Sequence, residues 1–406
     1  MSKLYFRLSL TRQYSPLETY STGYHGIGLE AHIFANYENS ISLFLSRLNK
    51  PYFIDPVFYR FSSPLYRNYT DRRWAGRLIE SYGLTQLLEE NPDGIMTSNL
   101  TEKNISAITD RVLEYQRNSL MSSSGETISL LALLDNTETT PVDVTGPEFL
   151  IPPYFIYDGD GDVIKTNLSL VDEALKLKRE MEKIFAPIIV DPDSLLDDVF
   201  IDDLITKYSS KKVDGYIVWV TDFKEFEADS VTLEYYTKFL KKLKNSTNTK
   251  ELIDMFSGFY SVLLASKGFL GGVVQGLGIS ESKNPFAGSG QGKPRYYIPI
   301  AKQMVSVDIA ADLVSVDEQL FFCSCTGCTS NSDILHKSIR ELDEHFTENR
   351  IKEFENLRNE SIINIVNGLN SDSQKLKHVV DPTASGLAHR FGNRLRVWAT
   401  ALSNSA

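Results

Sequence analysis

From residue 50 onward, short apolar runs alternate with amphipathic segments, and this alternation limits the possible folds more than any other feature. The runs are PYFID (51–55), FLIPPYFIY (149–157), FAPIIVD (185–191), DGYIVWVTD (214–222), LIDMFSGFY (252–260), GGVVQGLGI (271–279), RYYIPIA (295–301) and DLVSVD (312–317). Amphipathic stretches such as LVDEALKLKREMEKI (170–184) and LEYYTKFLKKLKN (233–245) fall between several of them. Strands that are apolar on both faces and separated by helices indicate parallel βαβ units with helices covering the sheet. Eight such runs predict an α/β fold, a (β/α)8 TIM-like barrel over residues 1–320, with an irregular insertion at about 60–145. An open doubly wound sheet is the competing arrangement. It is disfavoured because no GxGxxG or GxxxxGK[ST] loop follows the first run. Residues 321–406 are expected to form a zinc knuckle and C-terminal helices.

The chain's three cysteines, Cys323, Cys325 and Cys328, all lie in FFCSCTGC. A C-x-C-x-x-C turn brings three sulfurs toward one point, as a tetrahedral zinc ion requires. His345, in the amphipathic SIRELDEHFTENRIKEFENL, can lean over the knuckle as fourth ligand. A closed Cys3His site is structural, because it leaves no open position for catalytic water. A reduced cysteine loop without metal is the plainer reading. Three cysteines cannot build a disulfide framework.

No apolar run approaches the roughly 18 residues that span a bilayer, so no membrane is expected. The N-terminal MSKLYFRLSLTRQYSPLE turns polar too soon for a secretory signal, and a cytoplasmic location is expected. The net charge of −11 argues against indiscriminate coating of nucleic acid. Such contact would have to come from a local patch or a helper protein. Two patches qualify. Arg67, Arg72, Arg73 and Arg77 are interleaved with Tyr66, Tyr69 and Trp74, and His389, Arg390, Arg394 and Arg396 cluster near the end. Basic residues beside aromatics can hold phosphates and stack on bases. Helices packed through Trp74, and through Leu395 and Trp398, explain the same residues.

In a barrel the chemistry gathers at the C-terminal ends of the strands. Asp55, Asp191, Asp222 and Asp317 end predicted strands, where carboxylates can serve as nucleophile or base, or merely cap the next helix. Asp191 reads best as a cap. GLGISE (276–281) has two glycines at a strand end, which lets backbone approach a flat ligand. His25 and His32 precede the predicted barrel and read as structural.

Taken together, the barrel pattern, an Asp after an early strand, the glycine-rich strand end, a late Asp and C-x-C-x-x-C…His resemble the tRNA-guanine transglycosylase superfamily. The likeness is greatest to its shorter DNA-acting members that insert 7-deazaguanines, and it covers about residues 50–360. The resemblance implies that Asp55 acts on the incoming base while Phe58 or Tyr59 stacks on it. It further implies that Asp222 reads the base edge, that Gly276 and Leu277 contact the base through backbone, and that Glu281 is the accompanying acid. Asp317, or alternatively Asp312, would be the nucleophile that forms a covalent glycosyl intermediate, and Cys323, Cys325, Cys328 and His345 would hold structural zinc. The implied partners are DNA or tRNA, with DNA favoured, a guanine or 7-deazaguanine base, a possible helper protein and a possible homodimer. The divergent DPVFYRF at 55–61 also fits a non-catalytic scaffold or base-sensing subunit that works with a partner.

Overall fold

The computed structural model describes residues 1–9, 13–119, 146–157, 159–247, 250–277, 282–285, 293–323, 325–330 and 333–405. Its centre is a curled, fully parallel seven-stranded sheet. The strands are β1 (Lys3–Leu8), β2 (Gly26–Glu30), β3 (Tyr52–Asp55), β4 (Phe185–Val190), β5 (Gly215–Val220), β6 (Glu251–Asp254) and β7 (Gly272–Gly276), in the spatial order β3-β2-β1-β7-β6-β5-β4. β4 and β5 are buried at every residue, as strands covered on both faces must be. On β2, a Cβ at Gly28 would come within 2.8 Å of the Phe53 ring, so the close approach of neighbouring side chains requires glycine there.

Five of the eight expected runs are strands of this sheet, and three are not. FLIPPYFIY contains Pro152 and Pro153, which lack the N–H a ladder needs, and contributes a single parallel bridge, Leu150 to Ile184. The Glu148 N–H still donates to the Tyr52 carbonyl (2.7 Å) and the Leu150 N–H to the Lys183 carbonyl (2.8 Å), so this extended segment spans the gap between β3 and β4. RYYIPIA forms β8 (Arg295–Ile298), which pairs antiparallel with β9 (Gln303–Ser306) outside the main sheet. DLVSVD ends a helix, Val307–Val316, of which Asp317 is the C-cap, while Ser306 caps the N-terminus and Asp308 sits in the first turn. A six-residue apolar run does not distinguish a strand from a turn and a half of buried helix.

The N-terminal segment supplies what the count lacked. LYFRL and GIGLE are β1 and β2, in the middle of the sheet, so His25 and His32 lie within the sheet region and not before it. His25 does play the expected structural part. At the N-terminal ends of the strands it meets Glu148 at 3.1 Å, and Lys3 bridges Glu148 (2.7 Å) and Glu251 (2.9 Å). These partners hold the Glu148 carboxyl at about 2 against the opposing effect of burial.

Helices pack around the sheet, and several have side-chain caps. Asp160, Asp197 and Asp229 cap the helices Gly161–Leu177, Asp198–Ser209 and Ser230–Ser246. The apolar helix Phe259–Ser266 is capped by buried Glu225, which accepts from the N–H groups of Gly258 (2.8 Å), Tyr260 (2.7 Å) and Ser261 (3.2 Å). The C-terminal helices Ile362–Lys377 and Ser385–Ser405 form a hairpin that leans on Ser230–Ser246, and Trp398 donates to the Glu225 carbonyl at 3.2 Å. Trp398 and Leu395 are fully buried, so packing accounts for the helix that carries Arg394 and Arg396.

A candidate metal centre and a buried polar site at the strand ends

The cysteine knuckle and His345 come together as expected. The ligand atoms of Cys323, Cys325, Cys328 and His345 all lie within 4.8 Å of one another, and all four residues are buried. His345 Nδ1 is 3.2 Å from Cys325 Sγ and 3.3 Å from Cys328 Sγ. Four ligands about 2.0–2.3 Å from a shared ion suit these separations. The orientation of the imidazole supports metal binding. Its Nε2 lies 2.7 Å from the Tyr297 carbonyl, a contact that needs the proton on Nε2 and leaves the Nδ1 lone pair facing the sulfurs. Asn349 Nδ2 donates to Cys323 Sγ at 3.2 Å, and the Tyr296 ring stacks on His345 at 4.2 Å. The group could hold a metal ion such as zinc. It ties the β8–β9 hairpin and the knuckle to the helix Ile339–Asn359, which in turn reaches the helix Phe259–Ser266 through fully buried Arg350, packed on Phe259, Tyr297 and Phe346.

A second constellation lies at the C-terminal ends of the parallel strands. β1 brings Arg7, β2 ends in Glu30 and β3 in Asp55, with Glu30 and Asp55 paired in register. These charged groups are nearly inaccessible: Arg7 is 6% exposed, Glu30 8% and Asp55 2%. Glu30 pairs with two cations, Lys283 Nζ at 2.9 Å and Arg60 Nη2 at 3.0 Å, and has His32 Nδ1 at 3.2 Å, an imidazole that burial and Arg60 keep neutral. Burial would raise its pKa, but the surrounding cations win and hold it well below the usual carboxylate value. Asp55 goes the other way, raised by burial more than Lys283 lowers it. Its Oδ1 accepts from the Val57 N–H (3.0 Å) and the Tyr154 hydroxyl (2.9 Å), while Oδ2 is buried and has no protein partner.

Arg7 Nη1, the Tyr59 hydroxyl and Trp219 Nε1 are also buried without a protein partner. Unpartnered buried polar atoms are costly and rare in native proteins, so several at one place mark a site that expects a ligand or water. Arg7, Glu30 and Asp55 line a small cavity with Gly28, Phe53 and Phe256. Its volume of about 10 Å³ suits a single water. Lys283 fills the space beside it. Its ammonium sits 4.6 Å from the Phe256 ring centroid, 5.4 Å from Tyr59 and 5.6 Å from Trp219.

The other expected site residues are spread more widely. Tyr59 faces the site, but Phe58 turns into the core against Phe61 and Phe155. Asp222 is exposed at φ 52°, where its N–H donates to the Lys283 carbonyl at 2.9 Å, so it anchors that loop. Gly276 ends β7 opposite Arg7, and the Leu277 carbonyl accepts from Gln13 at 3.0 Å. Glu281 lies outside the described residues. Asp317 ends no strand: it joins two helices, where its Oδ1 accepts from the Leu320 N–H at 3.0 Å, and Asp312 is exposed on the first of them. Asp191 accepts from the Ser194 N–H at 2.9 Å and so closes the turn after β4, while the cap of the following helix is Asp197.

Arg7, Glu30, Tyr154, Trp219, Phe256 and Lys283 escaped the sequence reading. Two signals were present: an arginine inside the apolar LYFRL, and an acid closing GIGLE just as acids close the other strands. Of the first basic cluster, Arg72 and Arg73 are exposed, Arg67 pairs with exposed Asp93, and Arg77 donates to the Ala35 carbonyl. No helix among the described residues is long and apolar enough to cross a membrane. Comparison with family models, curated proteins and solved structures finds no match to this chain.

Proposed function

We propose that the chain is a nucleobase-exchanging enzyme of the tRNA-guanine transglycosylase kind, acting on guanine in a nucleic acid, with DNA favoured over tRNA. One observation carries this reading: buried, unpartnered donors and a free carboxylate oxygen gather among aromatic rings at the C-terminal ends of parallel strands. The cavity they surround has room for one water while Lys283 is in place, so the lysine must withdraw for a base to enter. A purine presents such donors and acceptors on its edges and a flat face for aromatic rings. The extended segment at 148–150, between β3 and β4, supports a complete eight-position barrel closed through that bridge. In this reading Asp55 takes the proton of the incoming 7-deazaguanine, a role suited to its raised pKa and free Oδ2. Zinc in the Cys3His group supplies structure alone. Removing the target nucleotide from a duplex costs a few kcal/mol, about the amount a helper protein would contribute by opening the strand.

A second reading is a non-catalytic, base-sensing member of the same superfamily. It is favoured by the placement of the other acids, because Glu30 is engaged by two cations and Asp317 caps a helix. Incubation with labelled guanine and single-stranded DNA, duplex DNA or tRNA tests both readings. Label that enters one polymer and is lost in Asp55→Asn supports exchange. Calorimetric binding of guanine or 7-deazaguanine without label transfer supports the sensor. Neither binding nor transfer would sink both.

A further inference from the structure

The lysine at the centre of the site has surroundings that base exchange does not require. Lys283 Nζ is enclosed by the rings of Phe256, Tyr59 and Trp219, and its side chain is 16% exposed. Arg7 and Arg60 stand nearby as like charges, Glu30 is its only direct ion-pair partner among the described residues, and Asp55 and a His32 kept neutral by burial complete the titratable neighbourhood. Desolvation beside other cations is how a protein turns a lysine into a nucleophilic amine, since both effects disfavour the ammonium. Here burial, with Arg60 and Arg7, outweighs Glu30 and Asp55, and the amine is pushed down to about 8. The groups that would move protons are present as well: Asp55 with its free Oδ2 and Tyr59 with an unpartnered hydroxyl.

We propose that Lys283 is an imine-forming lysine that captures an aldehyde carbonyl carbon, either from a small hydroxyaldehyde or from the ring-opened C1′ of an abasic deoxyribose. The ammonium gives one proton to Asp55, and the freed lone pair forms the C–N bond as the carbonyl π pair moves to oxygen. The resulting carbinolamine nitrogen then loses a second proton. Both protons leave with the carbonyl oxygen as water when the C–O bond breaks, and the single positive charge stays on the iminium nitrogen, beside Glu30. This activity goes beyond base exchange and does not depend on it, because a small aldehyde needs no nucleobase pocket.

The test is reductive trapping on the full-length protein. Glycolaldehyde at low concentration, or an oligonucleotide with one abasic site, is incubated with cyanoborohydride and the adduct is located by peptide mass mapping. One adduct per chain is expected, on Lys283. At pH 7 it should form at least about tenfold faster than on an exposed lysine, whose free-amine fraction is far smaller, and labelling should rise through pH 8. Trapping by glycolaldehyde alone assigns a small carbonyl substrate, whereas trapping of the abasic strand assigns the nucleic-acid sugar. Lys283→Met and the more conservative Lys283→Arg, both checked for native circular dichroism, should lose the adduct. Labelling spread over surface lysines with Lys283 unmodified, or unchanged in either variant, overturns the proposal, and the guanine-exchange result remains independent of it.

Discussion

Replacing Glu30 by Gln removes the carboxylate that Lys283 and Arg60 share. Lys283 and Arg60 lie at 2.9 and 3.0 Å, and Arg7 adds a third positive neighbour, while His32 at 3.2 Å is kept neutral by burial. Breaking a buried pair costs about 3–5 kcal/mol because the partner is left charged and dry, and the remaining water access here trims the figure to about 2–4 kcal/mol. Lysine can shed its charge, whereas arginine cannot. An opposite charge lost at this range moves a pKa by about 1–3, so the Lys283 amine should fall below its value of about 8 and become substantially neutral at pH 7. Two assays check this: urea unfolding, and the pH midpoint of Lys283 reductive labelling. The stability deficit of Glu30→Gln should be complete above the ordinary glutamate value of 4.5 and should close as pH falls through the lower native value of Glu30. A variant as stable as wild type at pH 7, with an unmoved labelling midpoint, would refute the argument that Glu30 is the counter-ion of the site.

Purified protein should carry one zinc per chain, and His345→Ala should lose it. A metal at a thousandfold excess over its dissociation constant adds about 4 kcal/mol, so chelation should lower the melting temperature, and an unchanged melt would rule out metal binding by the native fold. Glu225→Ala leaves three N–H groups of the helix Phe259–Ser266 without their acceptor. At about 1–3 kcal/mol for each unsatisfied buried group, the loss in urea unfolding should exceed about 3 kcal/mol. Asp317→Asn should change stability by less than about 0.5 kcal/mol, since asparagine caps helices as well as aspartate does. It should also leave guanine binding intact, and abolished binding in a folded Asp317→Asn would place the site elsewhere.

The sequence by itself determined the parallel α/β character and the metal group. Both are local signals: uninterrupted apolar runs such as FAPIIV and GYIVWV are read strand by strand, and three sulfurs within six residues need only one helix to bring His345 over them. The two ends of the count were not local. LYFRL and GIGLE become central strands only because β7 and β3 pair with them, and DLVSVD becomes helix because Ser306 caps it and its apolar face finds a surface to pack on. The polar site was even less legible. Arg7, Glu30, Asp55, Trp219 and Lys283 are scattered over some 280 residues and share a site only because parallel strands deliver their C-terminal ends to one place. An acid at a strand end looks the same in the sequence whether it closes a turn, as Asp191 does, anchors a loop, as Asp222 does, or holds a free oxygen in a buried cavity, as Asp55 does. What separates them is burial and the charges brought in from distant segments, and desolvation, which sets those energies, exists only once the chain has folded.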